Sequence, residues 1–117
     1  MRLDKCPVCQ GKLKVKKVEC ESCNAAVEGN FVTSPILNLP AGYQEFIEMF
    51  MLSGGSLKEM AEKLDISYPT VRTRLDEVIE ALKEEMRYRE TRKKEILFKV
   101  DKKELTAEEA AKIIKNL

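Results

Sequence analysis

Apolar positions recur at helical spacing through the last two thirds of the chain and alternate only near its start. Between Tyr43 and Leu52, Phe46, Ile47, Phe50 and Met51 share one side of a predicted helix, which Gly54-Gly55 stops. Ser56 to Glu59 reads as a capping box, in which the serine oxygen and the glutamate three residues on satisfy free amide donors. Leu57, Met60, Ala61 and Leu64 then give a short amphipathic helix, and Asp65-Ile66-Ser67 a turn. Ser67 is a good N-cap, Pro69 is tolerated in the first turn, and Val71, Leu75, Val78, Ile79 and Leu82 form a long helical stripe. The stripe fades after Met86, and Arg87 to Glu95 is polar nearly all round. Ile96 to Val100 is apolar again. Thr106 to Glu109 is a second capping box with Leu105 as its hydrophobic staple, and Ala110, Ile113, Ile114 and Leu117 make the buried side of a last helix. Near the start, Leu13 to Glu19 largely alternates and predicts a short strand. Val27 to Thr33 could form another, with Gly29-Asn30 as a turn or bulge.

The chain has 117 residues, 44% hydrophobic and 35% charged, enough for one ordinary domain or two to three very small ones. A net charge of +1 excludes a wholly basic nucleic-acid coat or an acidic tail. The charge is nevertheless uneven: +2 over residues 1–35, −5 over 36–85 and +4 over 86–105. The longest apolar run, Met49 to Leu52, is far too short to cross a membrane. The opening Met-Arg-Leu-Asp-Lys-Cys has no apolar signal region, so the expected location is the cytoplasm. With no His and no Gly-rich phosphate loop, histidine-based acid–base or triad chemistry is excluded, and the chain is not expected to be an enzyme.

All four cysteines lie within the first 23 residues, as Cys6-Pro-Val-Cys9 and Cys20-Glu-Ser-Cys23. In a cytoplasmic chain this pairing points to metal rather than a disulfide, because a two-residue gap lets both thiolates of a pair reach one ion from a tight turn. Two such turns complete a tetrahedral four-sulfur shell with no position open to substrate. Cys6-Pro-Val-Cys9-Gln-Gly-Lys-Leu13 resembles the knuckle of zinc ribbons, with Gln10 where many knuckles carry Gly. The resemblance implies one structural zinc on Cys6, Cys9, Cys20 and Cys23. The alternatives are a rubredoxin-like iron site, for which the loop is short and lacks aromatic packing, and a redox dithiol, for which the βαβ context is missing. Lys12, Lys14, Lys16 and Lys17 fit a solvated face as well as a binding one.

Two helices joined by a three-residue turn, with the small Ala61 where they cross, make a helix-turn-helix. Met60 to Leu75 resembles the DNA-binding helices of LuxR-type regulators and of the last region of sigma factors, with Asp65 in place of their turn glycine. In this motif the start of the second helix enters the major groove of double-stranded DNA. The candidate DNA-binding residues are therefore Ser67, Tyr68, Thr70, Arg72, Thr73 and Arg74, of which Arg72 and Arg74 flank the free face. Asp76, Glu77 and Glu80 would repel phosphates one turn later, and they favour the alternative of a platform for a protein partner of the transcription machinery.

Leu75, Ile79, Leu82 and Met86 continue a near-heptad seam that is either the core face of one long helix or the contact of a homodimer. Arg87, Arg89, Arg92, Lys93 and Lys94 form either a solvated link or a phosphate-facing arm. Glu95 to Leu117 resembles the SHOCT-like short helical hairpin, which implies oligomerisation or partner docking. The expected fold is mainly α, with a small β ribbon over 1–34, a linker over 35–42, a helix-turn-helix over 43–86, and a basic linking helix and helical hairpin over 87–117. That order of parts resembles a family of uncharacterised prokaryotic proteins of the same layout and implies a zinc-bearing transcriptional regulator, a homodimer, with no membrane insertion.

Overall fold

The computed structural model describes residues 4–117. The reading of the first three residues, including the start of the ribbon, falls outside the described residues. The fold is mainly α, with one small antiparallel sheet near the start. Strands β1 (Lys17–Glu19) and β2 (Ala26–Glu28) pair with Val18 opposite Val27. Both strands are shorter than the alternation suggests. Leu13 to Lys16 and Gly29 to Thr33 lie outside them, because the pairing extends only a few residues on either side of the Cys20 turn. No residue from 4 to 33 is buried.

A 3-10 turn over Pro35–Asn38 follows, capped by the Ser34 hydroxyl, which accepts from the Ile36 N–H. The connector packs rather than dangles. Leu39 is 2% exposed, and the Gln44 side-chain amide donates to its carbonyl at 2.8 Å.

Helices α1 (Ala41–Leu52), α2 (Leu57–Leu64) and α3 (Tyr68–Asp101) build one core from Phe46, Met60, Val71 and Val78, flanked by Tyr43, Ile47, Phe50, Leu57, Ala61, Ile66 and Leu75. Their starts carry the caps read from the sequence, but the capping box at Ser56 is only half made: the Ser56 N–H donates to Ser53 O at 3.1 Å, and Glu59 pairs with Lys63 at 3.2 Å. The Ser56 hydroxyl accepts from the Glu59 N–H at 3.1 Å, and the Ser67 hydroxyl accepts from the Thr70 N–H at 3.3 Å. Their ends share one device. Gly54 (φ 62), Asp65 (φ 53) and Lys103 (φ 60) are left-handed, and the next N–H returns five residues back, from Gly55 to Phe50, Ile66 to Ala61 and Glu104 to Lys99. Asp65 takes the place of the expected turn glycine because a short polar side chain tolerates that conformation.

Helix α3 runs unbroken for 34 residues, roughly 50 Å at 1.5 Å per residue, so its helix-turn-helix, linking and hairpin stretches form one rod. Helix α4 (Ala107–Lys115), capped by Thr106, folds back against the far end of α3, where Ile96 and Ala110 are each 3% exposed. The buried face of α3 is Val71, Val78, Glu85 and Ile96. Of the seam read from sequence, Leu75 and Leu82 are half-buried, whereas Ile79 and Met86 face solvent. Among the described residues no helix is long and apolar enough to cross a membrane.

Candidate metal centre and nucleic-acid interface

The two cysteine pairs sit in two copies of one turn. In the first, Cys6 N–H donates to Gly11 O and Gln10 N–H to Cys6 O; in the second, Cys20 N–H donates to Ala25 O and Asn24 N–H to Cys20 O. Gln10 (φ 62) and Asn24 (φ 60) are both left-handed, at matching positions after the second cysteine of each pair. The glycine that the first knuckle lacks at position 10 is used one place later. A Cβ on Gly11 would approach the Cys9 sulfur to 3.2 Å, so the glycine there leaves room for the thiolate.

Each turn also aims amide donors at its first sulfur. The N–H groups of Cys9 and Val8, together with the Cys9 side chain, hold the Cys6 thiol below its ordinary value; Cys23 and Ser22 do the same for Cys20. Thiolates are the metal-binding form, so this donor set suits a thiophilic ion and is consistent with zinc. The two pairs are each formed, but among the described residues no three Cys, His, Asp or Glu side chains gather at one metal-sized point.

On α3 the first two turns stand clear of the core. Ser67, Tyr68, Thr70, Arg72, Thr73 and Arg74 are all exposed, while Val71 is fully buried beneath them. No acidic residue occupies the first turn, so the positive end of the helix dipole is not neutralised locally. The hydroxyls are partly engaged: Ser67 and Thr70 share a hydrogen bond at 2.8 Å, and Thr73 donates to Pro69 O at 3.0 Å. Arg72 pairs with Asp76 at 3.3 Å, an exposed pair that holds the guanidinium only weakly. Arg74 lies on the opposite flank and lines a 250 Å³ hollow between α1 and α3. The basic stretch beyond is divided. Arg92 and Lys93 pair with Glu95 and Glu90, and Arg89 is half-buried on the ribbon side, so the five cations do not form one arm.

One junction was not visible in the sequence. Glu85, 9% exposed on the core face of α3, accepts from Lys12 Nζ at 2.6 Å and from Asn38 Nδ2 at 3.3 Å. The same ammonium lies 3.7 Å from the centroid of the Tyr88 ring. One carboxylate thus ties the first knuckle and the connector to the long helix. The only local sign is a glutamate seven residues after Val78, on an otherwise apolar face.

Two family models match. Residues 6–37 match the DUF2089 zinc ribbon, and residues 39–85 match the domain of unknown function (DUF2089)-HTH. No curated protein and no solved structure matches the chain.

Proposed function

We propose that this chain, a DUF2089-type zinc ribbon followed by a DUF2089-type helix-turn-helix, is a cytoplasmic, sequence-specific DNA-binding transcriptional regulator and not an enzyme. The reading rests on the first two turns of α3, which are exposed on a core of Phe46, Met60, Val71 and Val78 and free of acidic side chains in the opening turn. Such a helix start enters the major groove, where Thr70 and Thr73 meet base edges and Arg72 and Arg74 reach guanine or phosphate. Asp76, Glu77 and Glu80 confine the approach to those turns. The ribbon holds one structural zinc through Cys6, Cys9, Cys20 and Cys23, the two knuckles closing on the ion. A four-sulfur shell leaves no position for a substrate, so the ion folds the ribbon and performs no reaction.

Arg72→Ala and Arg74→Ala are each expected to weaken DNA binding by roughly 1–3 kcal/mol for a base contact; a phosphate contact instead lowers the salt slope by about one. Glu77→Gln and Glu80→Gln are expected to leave binding unchanged or tighter, since each removes a charge facing the phosphates. The exposed acidic face favours one other reading, an adaptor that docks a protein of the transcription machinery. Arginine variants that bind DNA like the parent, with glutamine variants that lose a captured protein, would establish it instead.

The regulator acts as a homodimer in this reading. Ile79, Met86, Leu97, Phe98 and Ile113 leave apolar surface on α3 and α4, 37–59% exposed. Light scattering is expected to give twice the 13.4 kDa of one chain, and a single-chain mass at high concentration contradicts the dimer.

A further inference from the structure

The ribbon, the connector, α3 and the residues after α4 line a half-open hollow of about 510 Å³, within the usual volume range for small-molecule sites. Its lining combines two chemistries. Lys12, Lys14, Arg89 and Arg92 bring positive charge, Lys12 beside Glu85; among the described residues no Asp or Glu lines the cavity, and the carboxylate of Leu117, which does line it, pairs with none of the four cations. Lys12 and Arg92 have acidic partners; Lys14 and Arg89 make no ion pair among the described residues. Arg89 and Arg92 are three residues apart on one helix face, so two planar guanidinium forks serve the same space. The rest of the wall is apolar, and Leu13, Val15 and Tyr88 there remain 39%, 41% and 48% exposed to solvent.

We propose that this cavity binds a small organic anion, a carboxylate or phosphate monoester carried on an apolar body. Lys14 and Arg89, the two cations without an ion-pair partner among the described residues, call for the anionic head, and half-exposed apolar walls call for a body that covers them. A bare phosphate or a DNA backbone meets the first demand and not the second. The cavity lies about 16 residues along α3 from Thr73, roughly 24 Å, so an occupant does not compete with the groove-reading turns. It does touch ribbon and long helix together, and Lys12 and Tyr88 of the Lys12–Glu85–Tyr88 junction are part of its wall, so an occupant bears on how the two modules are held. The inference concerns binding alone and stands whether or not α3 reads DNA.

The test is a titration of the full zinc-loaded chain with phenyl phosphate, phenylacetate, inorganic phosphate and phenol, followed by amide chemical shifts. Saturation by phenyl phosphate or phenylacetate is expected, with shifts confined to residues around Lys14, Phe31 and Arg89, and with inorganic phosphate and phenol at least about tenfold weaker. The tighter of the two aryl anions identifies the head group. Lys14→Gln and Arg89→Gln are each expected to weaken that binding about tenfold, whereas Arg87→Gln, on the far side of the same helix, leaves it unchanged. The proposal is overturned if inorganic phosphate binds as tightly as either aryl anion, if no probe saturates, or if the Arg89 and Lys14 variants bind like the parent with their spectra otherwise intact.

Discussion

Cys20→Ser is expected to abolish the folded ribbon while leaving the helical part of the chain in place. The first module has almost no apolar core of its own. No residue between 4 and 33 is buried, and the facing pair Val18 and Val27 is 44% and 55% exposed. Structural zinc in finger peptides contributes roughly 10–16 kcal/mol at neutral pH, which exceeds anything so thin a core supplies. In the proposed four-sulfur site, loss of one sulfur leaves three ligands that no longer close the shell. Zinc content of the variant is expected to collapse, and the amide signals of residues 4–33 to merge into the unfolded range. The helical circular-dichroism signal should persist, because Phe46, Met60, Val71 and Val78 draw on no ribbon residue. Chelator treatment of the parent is expected to reproduce the same partial unfolding. A parent protein purified without chelator that holds no metal yet keeps an ordered ribbon contradicts this account.

The complementary lesion is Met60→Ala. Met60 is completely buried where α2 meets α1 and α3, and its loss leaves a cavity at the centre of the three-helix core. Truncations of this size cost about 2–5 kcal/mol, against a total of about 5–15 kcal/mol for a small domain. Urea denaturation followed by helical signal is expected to shift to markedly lower concentration, and DNA binding to fall with the folded fraction. Zinc content should stay at the parental level, since the knuckles are closed by their own backbone bonds. A change under about 1 kcal/mol means that the helix-turn-helix does not organise around Met60.

The helical part was legible wherever one short stretch of sequence decides the outcome. Ser56 and Thr106 cap as their spacing to Glu59 and Glu109 implies, and Ser67 caps as its place ahead of Pro69 implies. Asp65 stands in for glycine through a local backbone tolerance that its side chain already announces. Lys103 announces nothing of the kind, and its left-handed turn stands where α4 folds back on α3. The same contrast separates the two sites. Exposure of Thr70, Arg72, Thr73 and Arg74 follows from their offset against Val71 and Val78 on one helix. The Glu85 junction joins side chains 73 and 47 positions apart, so nothing near Glu85 signals its partners. The alternation from Leu13 to Lys16 misled for a related reason. Leu13 to Val15 form the wall of a cavity against α3 instead of a longer sheet, and a two-residue period cannot tell one from the other.

The central claim is that the start of α3 reads DNA, and a salt-series binding titration of the zinc-loaded chain on its own upstream DNA and on random sequence tests it most directly. The account predicts that the logarithm of affinity falls linearly with the logarithm of salt, by about 0.9 for each phosphate contacted. It also predicts that one upstream sequence is held at least about a thousandfold more tightly than random DNA. Equal affinity for every sequence, or no binding at moderate salt by a chain whose zinc and helices are intact, contradicts it.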